Sequence, residues 1–270
     1  MKQDAVRLTG EAESKAQRRV ALQLQQATVR FGAIEILKNI DFSLHEREFV
    51  CVIGPSGSGK TTLLRVLAGL QRPSEGLVLY RDRPHMQPSP EIAIVFQDYA
   101  NALLPWRDVA GNVALALEAI GTPKEERRER IADLLETVGL HGHAHHYPSE
   151  LSGGMQQRLQ IARCLAQNPS VLLMDEPFGA LDAMTRQRLQ DELLRIVSDR
   201  GITAFFVTHD LEEAIYLGDR VIALEPRPGR IAEDFPVCLS HPRDQLETRE
   251  NQAFVTLRRQ LFDFVWRYEK

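Results

Sequence analysis

Long apolar runs are missing. No stretch reaches the roughly 18 consecutive apolar residues that a membrane-crossing helix needs, so the chain is expected not to span a bilayer, while a peripheral seat on another membrane protein stays open. Cysteine is scarce. Cys51, Cys164 and Cys238 are odd in number, far apart and without Cys-x-x-Cys or Cys/His ligand spacing, which predicts three buried apolar thiols in a reduced cytoplasmic setting and excludes a disulfide scaffold. Charge of one sign is lacking as well. With 33 Lys+Arg against 37 Asp+Glu and a net charge of −4, the chain has no basic footprint for nucleic acid. Met1 to Arg19 is polar and mixed in charge, without the apolar centre of a secretory signal, and reads as a flexible tail. Internal repeats and low-complexity tracts are also absent.

What is present is an alternation of two periodicities. Val20, Leu22 and Leu24 recur every second residue, and 27–31 and 40–44 read as further strands, together a small antiparallel sheet. Phe49-Val-Cys-Val-Ile53 is a short continuous apolar run, the pattern of a strand buried on both faces in a parallel sheet. A helix with Leu63, Leu64, Val66, Leu67 and Leu70 follows, closed by Gly69 and Pro73. After a strand at 92–96, helical patterns at 112–120, 124–138 and 155–167 succeed one another with no strand between them, a helical insertion. Strand signals return at 171–174 and 204–208 around a helix at 185–198, so the α/β core resumes. Closing strands are expected at 221–224 and 229–235, then a terminal amphipathic helix carrying Phe254, Leu257, Leu261, Phe264 and Val265.

The chemistry concentrates at three places. Gly54-Pro-Ser-Gly-Ser-Gly-Lys-Thr-Thr62 fits G-x-x-x-x-G-K-T between a buried strand and a helix, the setting this phosphate-binding loop requires. Gly54, Gly57 and Gly59 permit a turn whose N–H groups point inward, with Pro55, Ser56, Ser58 and Thr62 completing the cradle. Lys60 would bridge the terminal phosphates, and the Thr61 hydroxyl would ligate Mg²⁺. Val171-Leu-Leu-Met-Asp175-Glu176 carries two carboxylates out of the core at a strand's C-terminal end, where α/β sheets bind ligands. Asp175 suits a Mg²⁺ shell and Glu176 suits polarising an attacking water. Third, Leu151-Ser-Gly-Gly-Met-Gln-Gln-Arg158 opens a helix with an N-cap, Ser152, and two bare N–H groups at Gly153 and Gly154, a second anion site with no lysine of its own.

With these three motifs in order, the chain resembles the ATP-binding subunits of ABC transporters over roughly residues 20–239. The resemblance implies a P-loop (RecA-like) α/β core with an antiparallel β subdomain and an inserted α-helical subdomain at about 98–165, flanked by the 1–19 tail and a helical tail at 240–270. It also implies a homodimer in which Ser152, Gly153 and Gly154 of one copy close over ATP held by the other. Phe31 then corresponds to the aromatic that stacks on adenine, Gln97 to the glutamine that reaches Mg²⁺ and the water, Asp182 to a residue signalling across the dimer, and His209 to a histidine contacting the γ-phosphate. Met155 stands where the signature commonly has Gln, so reduced polar contact is expected there.

The Gln97-Asp-Tyr-Ala-Asn-Ala-Leu-Leu-Pro-Trp106 loop, with Pro228-Gly-Arg-Ile231 and His241-Pro-Arg243, is similar to the importer branch for nitrate, sulfonate, taurine and related solutes. That implies a separate transmembrane permease docking near Trp106, an extracytoplasmic solute-binding protein acting indirectly, and a peripheral seat on the cytoplasmic face of the inner membrane. A pyrimidine or thiamine-precursor cargo, or a soluble non-transport ABC ATPase, are the alternatives. The roughly 90 residues between the phosphate loop and the 151–158 motif are too few for the long coiled coil of DNA-maintenance types, and no Asn-Lys-x-Asp guanine motif supports a GTPase. The His141-Gly-His-Ala-His-His146 run reads as solvated loop histidines, and 124–130 as an exposed helix face with i,i+4 pairs such as Glu126 with Arg130.

Overall fold

The computed structural model describes residues 19–97 and 102–268. All but Arg19 of the expected 1–19 tail lies outside the described residues, as do residues 98–101 of the Gln97 to Trp106 loop.

Two sheets face each other across a shared helix. The first is four-stranded and antiparallel, β1 (Val20–Phe31), β2 (Ile34–His45), β4 (Glu75–Tyr80) and β5 (Arg83–Pro84), in the order β2-β1-β4-β5. The sequence reading breaks β1 in two because its period-two pattern slips at Gln25-Gln26. In the structure the chain runs on through an irregularity there, with a register shift between Leu24 and Ala27 and Gln26 at φ 49°. A bulge of this kind moves the alternation by one residue without ending the strand. β4 and β5 lie in a stretch without a strand expectation: only Val78 of β4 is buried, too little to show a pattern.

The second sheet has six strands in the order β10-β9-β3-β8-β7-β6. Its members are β3 (Phe49–Ile53), β6 (Ile92–Val95), β7 (Val171–Asp175), β8 (Thr203–Val207), β9 (Arg220–Glu225) and β10 (Arg230–Pro236). β6, β7, β8, β3 and β9 run parallel, and β10 closes the edge antiparallel. β3, β7 and β8 are buried at every position, which is why they read as continuous apolar runs rather than alternating ones. α1 (Lys60–Leu67) packs its apolar face against this sheet and the first, so Leu63, Leu64, Val66 and Leu67 share one core with β1, β2 and the near faces of β3, β7 and β8.

On the other face a larger core joins the sheet to α2 (Val109–Ala119), α3 (Lys124–Thr137), α4 (Gly153–Ala166), α5 (Ala183–Arg200), α6 (Leu211–Leu217) and α8 (Gln252–Tyr268), while the one-turn α7 (Glu247–Glu250) before α8 buries no residue. Between β6 and β7 the described residues hold helices and no strand. α8 buries Phe254, Leu257, Leu261 and Phe264.

Two expectations are corrected, and the histidines at 141, 145 and 146 are exposed as expected. Cys51 and Cys164 are buried but Cys238 is exposed, because it follows buried Val237 just past the edge strand β10, where alternation turns it outward. The expected Glu126 to Arg130 pair gives way to local acceptors: Arg130 donates to Thr122 Oγ1 at 3.0 Å and to the Ala166 carbonyl at 3.3 Å, stitching α3 to the end of α4. The histidine run forms a one-turn 3-10 helix, His141–His143, and the rings of His143 and His146 meet edge to face at 5.0 Å.

Candidate active site

The phosphate loop leaves the central strand β3 and enters α1, and its backbone demands glycine. Gly59 caps α1 at φ 90°, and a Cβ there would meet Leu37 Cδ2 at 2.6 Å, so both conformation and space exclude a side chain. Lys60 folds back over the loop, its Nζ donating to the carbonyls of Gly54 at 2.7 Å and Pro55 at 3.1 Å. Burial holds its pKa below the ordinary lysine value, against the pull of Glu176 and Asp175. Among the described ion pairs Lys60 has no direct carboxylate partner, so it offers a half-desolvated cation to an anion entering the loop.

Asp175 ends β7 with its side chain sunk beneath the loop. Thr61 Oγ1 donates to its Oδ1 at 3.3 Å. Burial raises the Asp175 pKa above the usual carboxylate range. A desolvated carboxylate beside a hydroxyl is an oxygen-only donor set, which fits a hard cation such as Mg²⁺ that also draws ligands from substrate phosphates. Among the described residues no three His, Cys, Asp or Glu side chains gather to hold a metal by themselves, in keeping with that division of ligands.

Glu176 is the meeting point. Its backbone sits at φ 45°, a left-handed conformation that a glutamate adopts at a cost of about 1–3 kcal/mol, while its N–H continues the sheet ladder to the Val207 carbonyl at 2.9 Å. This turns the side chain up toward the loop. There Oε2 meets His209 Nδ1 at 3.0 Å and receives Gln97 Nε2 at 3.4 Å. Two side chains, 79 residues before and 33 residues after Glu176, thus converge on one of its oxygens. The loop, Glu176 and His209 line a cavity of about 620 Å³, whose far walls are Ile36, Leu211 and Val265.

A buried network fixes His209 from below. Thr208 Oγ1 donates to Glu213 Oε2 at 2.5 Å, Gln190 Nε2 donates to Glu213 Oε1 at 3.0 Å, and the Asp210 N–H donates to Thr208 Oγ1 at 3.0 Å. Burial raises the Glu213 pKa, with the Thr208 and Gln190 contacts opposing it. Sequence reading missed Glu213, Gln190, Ile36 and Leu211 as parts of this environment. A buried acid inside an amphipathic helix leaves no periodic signal.

The remaining expected residues stand elsewhere. Ser152, Gly153, Gly154, Phe31 and Asp182 do not line the cavity. Ser152 caps α4 by accepting from Met155 N at 3.4 Å. A Cβ on Gly154 would lie 2.7 Å from Thr185 Cγ2, so this glycine is set by close approach to α5. Asp182 caps α5, and the Thr185 N–H donated to it at 3.0 Å holds its carboxyl below the usual range. Phe31 is an exposed ring at the end of β1, beside exposed Ile34.

The family model for ABC transporter matches residues 37–179, from β2 through both carboxylates of the β7 edge. This chain belongs to the ABC transporter family. An uncharacterized ABC transporter ATP-binding protein of Methanocaldococcus jannaschii is 45% identical, with 94% of this chain and 95% of that one covered. The nitrate import ATP-binding protein NrtC of Synechococcus elongatus is 45% identical over 87% of this chain, which spans only 36% of that relative. A solved dimeric ABC cassette, MJ0796 in a post-hydrolysis state with ADP and Pi, superposes with a TM-score of 0.70 at 33% identity, covering 80% of this chain and 98% of that one. The chain is an ABC ATP-binding subunit, an ATPase whose nucleotide is ATP. Among its described residues no helix is long and apolar enough to cross a membrane.

Proposed function

We propose that this ATPase drives import of a small solute of the nitrate, sulfonate or taurine kind through a separate transmembrane permease, seated at the cytoplasmic face of the membrane. The observation that carries the ATPase half is the convergence of His209 Nδ1 and Gln97 Nε2 on Glu176 Oε2 beside the phosphate loop. The import half is supported by the 45% identity to NrtC and by Trp106, which is 72% exposed beyond the Gln97 loop. An exposed indole of that size is a docking anchor for a partner.

In this reading Gly54 to Thr62 wrap the phosphates with backbone N–H groups, and Lys60 exchanges its two carbonyl partners for phosphate oxygens. Phe31 gives the adenine a flat face. Thr61, Asp175 and Gln97 hold Mg²⁺, which when bound supplies Lewis-acid neutralisation of phosphate charge. Glu176 accepts a hydrogen bond from the attacking water and polarises it. With the proton on His209 Nδ1 shared to Glu176, Nε2 faces the γ-phosphate side and helps hold transition-state charge once protonated. Ser152, Gly153 and Gly154 of a second copy close the site, Asp182 relays closure between copies, and the Gln97 to Trp106 loop passes it to the permease.

Uptake in the source cells tests the import half. Replacing the native chain with Glu176→Gln should abolish ATP-dependent accumulation of one labelled solute among nitrate, taurine and alkanesulfonates, and gentle membrane extraction should yield the chain with a polytopic protein. Unchanged uptake of all of these, with only soluble partners recovered, would move the reading to a non-transport ABC ATPase.

A further inference from the structure

We propose that the outer face of α8 extends the ATP-closed interface between two copies of this chain, so that the C-terminal helix reports and stabilises closure. This rests on the head-to-tail dimer proposed above.

α8 has two apolar stripes where a surface helix needs one. Phe254, Leu257, Leu261 and Phe264 make the buried stripe. Phe262, Val265 and Trp266, at i, i+3 and i+4, make a second. Phe262 is 53% and Trp266 is 52% exposed, and their rings stack at 5.8 Å with 17° between planes. The helix is held firmly in place. Arg258 Nη1 donates to Glu212 Oε1 at 2.7 Å, Arg249 Nη1 donates to Glu212 Oε2 at 2.6 Å, and Tyr268 OH donates to Glu225 Oε2 at 3.1 Å. The pair is therefore presented by an ordered scaffold, the preorganisation that lets aromatic anchors bind at low entropic cost.

The occupant follows from continuity. A cavity of about 680 Å³ separates the start of α6 from α8, and Phe262 forms part of its wall. Leu211 is a wall of both this cavity and the ATP cavity, while Val265, between Phe262 and Trp266 on the helix, faces the ATP cavity itself. The two cavities are thus neighbours that share Leu211 as a wall, with Val265 and Phe262 one helical turn apart on α8 lining one each. Whatever closes over ATP abuts this shared wall, and the body that closes over ATP is the second copy. Charges of both signs edge the cavity at Phe262, Arg258, Arg259 and Asp263 on α8 with Asp210 and Glu212 at the start of α6, which suits a self-complementary partner rather than a uniformly charged one.

The test uses the full chain carrying Glu176→Gln, with MgATP. Sedimentation should give a dimer whose dissociation constant rises at least ~10-fold on adding Phe262→Ser and Trp266→Ser, as for removal of interface anchors, while ATP affinity of the dilute monomer is unchanged. A second measurement leaves the helix intact. Of the two tryptophans, Trp106 is changed to Phe, and Trp266 emission should shift to shorter wavelength and lose quencher access when MgATP is added, but not when Ser152→Arg is also present. Equal dimer affinity in the double variant, or a dimer in which Trp266 stays open to quencher, overturns the inference and leaves closure standing. A Glu176→Gln chain that remains monomeric with MgATP overturns the closure reading and the inference with it.

Discussion

The molecule carries two glycine-bearing helix starts, at α1 and α4, and they differ in every supporting detail. The phosphate loop sits between a fully buried strand and α1, holds a half-desolvated lysine, faces Glu176 across one cavity and reaches Asp175 through the Thr61 hydroxyl. The start of α4 has bare glycine N–H groups and a serine cap but no cation, and does not line that cavity. The first is a complete binding site within one chain. In the dimer proposed above the second is a half-site, completed by the nucleotide of the other copy. On that proposal affinity for nucleotide belongs to one copy, and hydrolysis to two.

That division is sharpest at Glu176. Glu176→Gln should lower hydrolysis by at least ~10²-fold through loss of the general base, while ATP binding by titration calorimetry stays within a few-fold; brisk turnover would remove Glu176 from the role. The two helix starts can then be set against each other. Lys60→Ala should abolish measurable ATP binding by the isolated chain, whereas Ser152→Arg should leave monomer binding intact and cost ~10²-fold in hydrolysis. Equal binding losses in both would show that the two sites act within one copy.

Asp175 separates function from stability. Its folded-state pKa is raised by burial, so its contribution to stability is full below the ordinary carboxylate value of 3.8 and is lost as pH rises through the folded value. Asp175→Asn should therefore be more stable to denaturant than the parent above that window, with the difference vanishing toward acid pH. It should also lose Mg²⁺-dependent hydrolysis. Gly154→Ala places a Cβ 2.7 Å from Thr185 Cγ2 and should cost about 1–2 kcal/mol in denaturant unfolding, because Thr185 must leave its rotamer or α4 shift against α5. Met155→Gln is the smallest step: Met155 packs on the larger core, and restoring a carboxamide should change hydrolysis by less than about 10-fold at matched protein concentration.

The legibility of these parts tracks how local their causes are. The phosphate loop, the carboxylates ending β7 and the signature turn each lie within a few consecutive residues, and strands β3, β7 and β8 announce themselves because both faces are buried. β1 is legible only up to Gln25-Gln26, where a bulge breaks its period. The Arg130 contacts to Thr122 and Ala166 escape a reading of helix-face pairs because they reach off the helix. Cys238 escapes a compositional rule because, two residues past the edge strand β10, alternation after buried Val237 turns it outward.

By itself the sequence determined the family, the strand order of the chemistry and the residue types that must meet phosphate, since these follow from backbone conformation and charge over short spans. Only the tertiary structure decided that Gln97 and His209 meet on one oxygen of Glu176, that Glu213 braces Thr208 from beneath, and that α8 brings Val265 to the ATP cavity. Each of those contacts joins segments far apart in the chain, and their distances are set by how two sheets and a helical layer pack, a sum over the whole core that no local window contains.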